Sequence, residues 1–171
     1  NDDLARTLDT SDEWIVTRTG IRERHIVGEQ DSLSACEMGA RAAQVALDSA
    51  GVPAVDIDAV ICATFTPDSF FPSTACQIQH RLGCTEAFAF DLSAACSGFV
   101  YGLSQADAMI RSGQVDSVLL VGTEYISRTL DWTDRGTCIL FGDGAGAVVI
   151  RASESEDSGV LSTWLSSDGA H

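Results

Sequence analysis

The sequence predicts an α/β fold built on a parallel or mixed sheet. Apolar runs of strand length alternate along the chain with segments of helical period. The runs are continuous, as in strands covered on both faces, rather than alternating as in half-exposed ones. Glycine, proline and hydroxyl residues punctuate the boundaries between the two kinds of segment. A chain of 171 residues has the length of one ordinary domain, and it shows no repeat and no low-complexity segment.

The elements follow in order. Residues 10–20, TSDEWIVTRTG, predict a short helix. Hydroxyl and acidic side chains suit its amide end, and Gly20 is a stop. Ser34 and Glu37 have the spacing of a capping box and open a helix to about Ala50, with Gly51 and Pro53 as terminators. Residues 58–65 are an apolar run of strand length. A helix over 74–82 ends at Gly83, and residues 87–91 read as a strand. Phe99, Leu103, Ala106 and Ile110 then recur at helical spacing, and the run stops at Gly113. Residues 118–122, 147–150 and 159–162 read as three further strands. A sheet this apolar needs helices on both faces, and about three long helices cover it thinly. A second layered unit is therefore expected to pack against this one.

Bulk properties narrow the function. The net charge is −15, and all ten basic residues are arginine. Such acidity argues against nucleic-acid binding as the main task. No apolar run approaches the roughly 18 residues needed to span a membrane. The opening NDDLAR is polar and acidic, unlike a signal peptide, and the chain is expected to be a piece of something longer. Six cysteines lie at 36, 62, 76, 84, 96 and 138, with no Cys-x-x-Cys pair and no histidine at zinc-finger spacing. No metal centre is expected, and apolar surroundings fit reduced thiols in the cytoplasm. The glycines of GDGAGA at 142–147 run into a strand rather than a helix. They read as a tight turn and close packing, not a nucleotide loop.

One cysteine invites a chemical reading. Cys96 lies in DLSAACSGF at 91–99, where the strand over 87–91 hands over to the next helix. In α/β folds sites collect at that end of a strand. Helix amide ends favour a thiolate over a thiol, and their N–H groups can hold an oxyanion. Ala94, Ala95, Ser97 and Gly98 leave room for a substrate. Taken alone, the residues favour a small buried thiol packing a turn, since free cysteine is among the most buried residue types. The other five cysteines read as core residues.

The segment DLSAACSGFVYG at 91–102 resembles the active-site segment of β-ketoacyl-acyl carrier protein synthase III, a condensing enzyme of the thiolase superfamily. TSDEWIVTRTGIRERH at 10–25 resembles that family's amino-terminal signature, and TDRGT at 133–137 and FGDGAGA at 141–147 resemble later segments. Order and spacing match across nearly the whole chain. The resemblance implies a thiolase-like fold, with residues 1–171 as one amino-terminal half of a duplicated αβαβα layered architecture. The family's first strand and carboxyl-terminal half would be missing.

The resemblance also assigns roles. Cys96 becomes the acyl-accepting nucleophile. For coenzyme A, Trp14 and Arg135 sandwich the adenine, Thr10 hydrogen-bonds near it and Arg18 meets phosphate. Phe71 crosses a homodimer interface into the partner's acyl pocket. Read without the family, Trp14 would staple its helix to the core, the arginines would be solvated, and Phe71 would anchor a loop. The implied partners are an acyl-CoA, as substrate, and malonyl-acyl carrier protein, with no metal or redox cofactor. Arg18, Arg22 and Arg24 are possible docking points for the acidic carrier. The family's catalytic histidine and asparagine lie far downstream of the cysteine; His25, His80 and His171 match neither, so the isolated fragment is expected to be inactive. The implied reaction initiates fatty acid synthesis. Alternatives are a polyketide or quinolone-type ketosynthase, or a non-catalytic dimerisation partner.

Overall fold

A computed structural model describes residues 1–28, 30–154 and 159–170. Its elements are α1 (Asp2–Ala5), α2 (Asp12–Thr19), α3 (Ala35–Ala50), β1 (Ala59–Ala63), α4 (Thr74–Leu82), β2 (Phe88–Leu92), α5 (Gly98–Arg111), β3 (Ser117–Glu124), α6 (Arg135–Cys138) and β4 (Gly144–Arg151). The strands form one sheet in the order β2-β1-β3-β4. β1 pairs in parallel with β2 and β3, and β4 runs antiparallel to β3.

The helix boundaries follow from local chemistry. Ser11, Ser34 and Ser73 each precede a helix, and their hydroxyls accept the N–H groups of Trp14, Glu37 and Cys76. Each cap satisfies one donor that the first helical turn leaves unpaired. Gly20, Gly51 and Gly83 end the same helices with φ of 75°, 63° and 75°, in the left-handed region that glycine enters without steric cost. The capping box at Ser34 is only half made. The Glu37 carboxylate turns outward to Arg41 and Arg81, bridging α3 to α4.

The sheet is covered on both faces. Val60, Cys62, Leu119 and Val121 point to one side and pack with Leu47 of α3 and Ile78 of α4. Ala59, Ile61, Val118 and Leu120 point to the other and pack with Ala106 of α5. All eight of these strand side chains are fully buried. Each fully buried Val, Leu or Ile contributes about 1.5–3 kcal/mol. Gly98, Gly102 and Ala106 form the buried stripe of α5, and the helix approaches closely because of it. A Cβ on Gly102 would lie 2.5 Å from Leu120 Cδ1. Elsewhere on α5, Phe99 and Val100 stay partly exposed.

Two readings need correction, and one short helix is added. Residues 159–162 form no strand. That segment runs along α5 instead, where Arg111 Nη2 donates to the Val160 carbonyl and the Ser104 and Thr163 hydroxyls lie 3.2 Å apart. Its short apolar run finds no sheet partner, and Leu161 is 90% exposed. The four-residue α1 has no counterpart in the sequence reading, being too short to show a period. β4 begins at Gly144, so Gly144 and Gly146 lie inside the strand, opposite Glu124 and Gly122, rather than in a turn before it. Among the described residues no helix is long and apolar enough to cross a membrane.

Candidate active site

The carboxyl ends of β1 and β3, the turn after β2 and the amino end of β4 line one cavity of about 640 Å³. Cys96 lines it with Phe65, Phe99, Glu124, Phe141 and Gly144. After β2 the chain passes through a single 3₁₀ turn, Ala95–Ser97, directly into α5. Ala95 has φ of +45°, in the left-handed region. An L-residue there costs about 1–2 kcal/mol. The turn leaves Cys96 exposed at the amide end of α5. Gly98 seats the helix start against β1, since a Cβ there would lie 3.1 Å from Ala63 Cβ. The Asp91 carboxylate accepts the N–H groups of Thr74 and Ala75 at 2.8 and 2.7 Å, tying α4 to β2 shortly before the chain reaches the cysteine.

Burial separates the six thiols. Cys36, Cys62, Cys84 and Cys138 are buried, and desolvation pushes each above the ordinary thiol range. Cys62 is pushed furthest, with the Asp91 and Glu124 carboxylates adding to the burial. Such thiols stay protonated and inert. Cys76 is half-buried, its Sγ 3.7 Å from the Ala89 carbonyl oxygen. Cys96 alone of the six is exposed.

A second cluster forms around Trp14. One helical turn separates Trp14 from Arg18 on α2, and the Arg18 guanidinium carbon lies 4.2 Å from the ring centroid. Arg135, which opens α6, places its guanidinium carbon 4.8 Å from the same ring. Arg135 Nη1 also donates to the Asp9 carbonyl oxygen. The neighbouring Thr10 hydroxyl is buried without a hydrogen-bond partner among the described residues. Trp14 at the same time packs against Ile15, Cys138 and Ile139, so its stapling role is also present. The resemblance implied Arg18 on phosphate and Arg135 across a base from Trp14; here both cations sit on the indole, drawn by its negative face.

The remaining assignments are spread out. Phe71 is 91% exposed and Phe70 fully so. Among the described residues, neither Phe71 nor any of Thr10, Trp14, Arg18 and Arg135 lines the Cys96 cavity. Arg24 is tied into the fold by the Asn1 side chain and the Ile139 carbonyl, so it is not free to meet a carrier, whereas Arg22 is exposed. His25 and His80 are exposed, and His171 lies outside the described residues.

Sequence reasoning missed the carboxylates that shape the site. Asp143 accepts the N–H groups of Val27 and Ser127, each at 2.8 Å, and the Ser127 hydroxyl at 2.6 Å. It joins the amino-terminal segment to the turn after β3. The adjacent Gly142 has a steric role: a Cβ there would lie 2.9 Å from the His25 carbonyl oxygen. Glu124, at the end of β3, binds the segment leaving β1. A carboxylate at a strand end or among glycines is the one signal that marked these positions.

This mixed sheet between helices, with a cysteine on a tight strand-to-helix turn, is a thiolase-like fold. The sequence relationship, along the whole chain, is to β-ketoacyl-[acyl-carrier-protein] synthase III. The family model described as 3-Oxoacyl-[acyl-carrier-protein (ACP)] synthase III matches residues 90–169. The enzyme of that name from Acidiphilium cryptum is 59% identical over 172 residues, covering 100% of this chain and 53% of that protein. The crystal structure of the synthase III from Aquifex aeolicus superposes with a TM-score of 0.87 at 51% identity, covering 91% of this chain and 50% of that one. The priming β-ketosynthase of a polyketide pathway superposes with a TM-score of 0.86 at 41% identity, covering 91% and 46%. The chain spans about half the length of the curated relatives it matches.

Proposed function

We propose that this chain is the acyl-loading, amino-terminal half of a β-ketoacyl-acyl carrier protein synthase III. The observation that carries the reading is the exposed Cys96, set on a strained turn at the amide end of α5 and facing an apolar cavity. The Cys96 thiolate attacks the carbonyl carbon of a short acyl-CoA. Backbone N–H groups at the start of α5 hold the oxyanion, the bond to the coenzyme A sulfur breaks, and an acyl-cysteine remains. The enzyme's second half then supplies a histidine and an asparagine. Malonyl-acyl carrier protein loses carbon dioxide, and its carbanion takes the acyl group, returning the thiolate. This chemistry calls for no metal or redox cofactor.

Trp14, Arg135 and Thr10 form the adenine end of the coenzyme A site, and Arg18 turns from the indole to phosphate. The paired cations on Trp14 and the unpartnered Thr10 hydroxyl support this reading. Phe71 is the dimer contact that reaches a partner's acyl pocket; its near-complete exposure beside Phe70 supports that, since two such side chains are poorly placed in water. The protein works as a cytoplasmic homodimer, with six unpaired thiols suited to a reducing compartment. Neither nucleic acid nor membrane is a partner, in line with the net charge of −15. The isolated 171 residues, lacking the second half's groups, do not turn over.

Mass spectrometry of a full-length polypeptide containing this chain, after incubation with acetyl-CoA, tests the reading. An acetyl adduct on Cys96 is expected, and its absence refutes it. The likeness to a polyketide priming ketosynthase supports a second reading, with the same loading step and a different acceptor. Product analysis with malonyl-acyl carrier protein separates the two. A non-catalytic dimerisation partner would form no adduct at all.

A further inference from the structure

β3 ends in a carboxylate at the wall of an apolar cavity. Glu124 is half-buried and lines the Cys96 cavity together with Phe65. One carboxylate oxygen accepts the Phe65 backbone N–H at 3.1 Å. The other accepts the hydroxyl of Thr66 and, at 3.4 Å, that of Thr64. The network closes on itself. The Thr66 hydroxyl oxygen accepts the Tyr125 N–H at 2.8 Å, and the Thr64 hydroxyl oxygen accepts the Thr66 N–H at 3.1 Å. Both threonines are 4% exposed. On the far side, Arg128 Nη2 donates to the carbonyls of Thr66 and Pro67. The residues leaving β1 are thus gripped by the residues leaving β3.

That grip fixes one side chain in particular. Phe65 lies at its centre, and it faces the cavity with Phe99 and Phe141. A partly desolvated carboxylate is costly unless its oxygens are paired, so Glu124 holds these donors firmly. An aromatic wall held in place limits the depth open to an acyl chain. Each methylene beyond the fitted length then costs about 1–3 kcal/mol, or 10–200-fold in rate.

We propose that Glu124 is a positioning residue that sets the acyl-length selectivity of the Cys96 site by fixing Phe65 as a wall of its cavity. The substrates admitted are short, straight acyl thioesters. The proposal rests on the reading of Cys96 as acyl acceptor.

Rates of Cys96 acylation by acetyl-CoA and by hexanoyl-CoA, followed by mass spectrometry in the full-length polypeptide, test it. The wild type favours acetyl. Phe65→Ala and Glu124→Ala each lower the acetyl-to-hexanoyl ratio by at least about tenfold, the low end for a single methylene in a fitted pocket. Glu124→Gln, whose amide oxygen still accepts hydrogen bonds, restores most of the ratio. The double variant Phe65→Ala with Glu124→Ala matches Phe65→Ala alone, because Glu124 acts through Phe65. A merely structural Glu124 would lower both rates alike and leave the ratio at its wild-type value; that result, or an unchanged ratio in Phe65→Ala, overturns the proposal. Should Glu124→Ala fail to fold, Thr66→Val removes the bridging hydroxyl and carries the same expectation. No adduct from either thioester in the wild type would instead refute the acceptor reading itself.

Discussion

The Arg135 guanidinium rests 4.8 Å from the centre of the Trp14 ring. A planar base between them needs about 7 Å, two contacts of about 3.5 Å each. In the proposed coenzyme A site, Arg135 would withdraw by roughly 2 Å to admit the base. Trp14→Ala is expected to raise KM for acetyl-CoA about tenfold, the worth of one stacked contact, and to change kcat little. Acylation by an acetyl thioester of pantetheine, which has no adenine, should be unaffected. Equal losses with both donors would place Trp14 in the fold rather than the site.

Thiol accessibility predicts an order of modification. Iodoacetamide should label Cys96 first and Cys76 later, with Cys36, Cys62, Cys84 and Cys138 reached only on unfolding. Peptide mapping over time reads this directly. Pre-incubation with acetyl-CoA should block the first label alone. Early labelling of Cys62 would contradict the burial that pushes its thiol up.

The left-handed Ala95 predicts an unusual gain from glycine. Relieving about 1–2 kcal/mol of backbone cost, less about 0.5–1 kcal/mol for the freer unfolded chain, should leave Ala95→Gly more stable by up to about 1.5 kcal/mol. Urea denaturation measures it. Acylation should slow, since the turn no longer holds Cys96 in one orientation. Lower stability would show that Ala95 carries no strain.

Acid should loosen the fold from a definite point. Burial acts to raise Asp68, but the N–H groups of Cys36 and Ala35, the Ser34 hydroxyl and Arg128 outweigh it and hold the carboxyl below its usual range. Asp58 is held low in the same way by the N–H groups of Asp116 and Ser117 and the Ser117 hydroxyl, against its own desolvation. A carboxylate depressed on folding stabilises wherever it is ionised. That contribution is complete above the unfolded value, about 3.9, and disappears as pH falls through the folded value. The melting temperature should hold from pH 7 to about 5 and drop below about 4. Asp68→Asn should start lower and drop less steeply. Superimposable curves would remove Asp68 from the account.

The sequence disclosed more of the frame than of the site. Ser11, Ser34 and Ser73 with Gly20, Gly51 and Gly83 wrote the ends of three helices, because caps are local chemistry. The apolar stretch 59–63 within 58–65 placed β1, because burial on both faces leaves no polar position inside the strand. Residues 159–162 misled, since an apolar run does not say whether a sheet edge lies within reach. The conformation of Ala95 was invisible, as nothing in an alanine marks a left-handed turn. The partnerships of Glu124 with Thr66 and of Asp143 with Val27 join residues 58 and 116 positions apart, and no periodicity reports them.

The order of the strands also has a bearing on how the chain is made. β1 is flanked by β2 and β3, and the Ser117 hydroxyl meets the Asp58 N–H across 59 positions. None of the parallel pairings can form by a local hairpin. A growing polypeptide must therefore carry β1 unpaired, with its five buried-type residues in the open, until β2 and then β3 have been synthesised. At about 5–20 residues per second that wait lasts several seconds. Such non-local assembly is slow and exposes apolar strands to wrong partners. Its yield in the cell should accordingly depend on chaperones and on translation speed between β1 and β3.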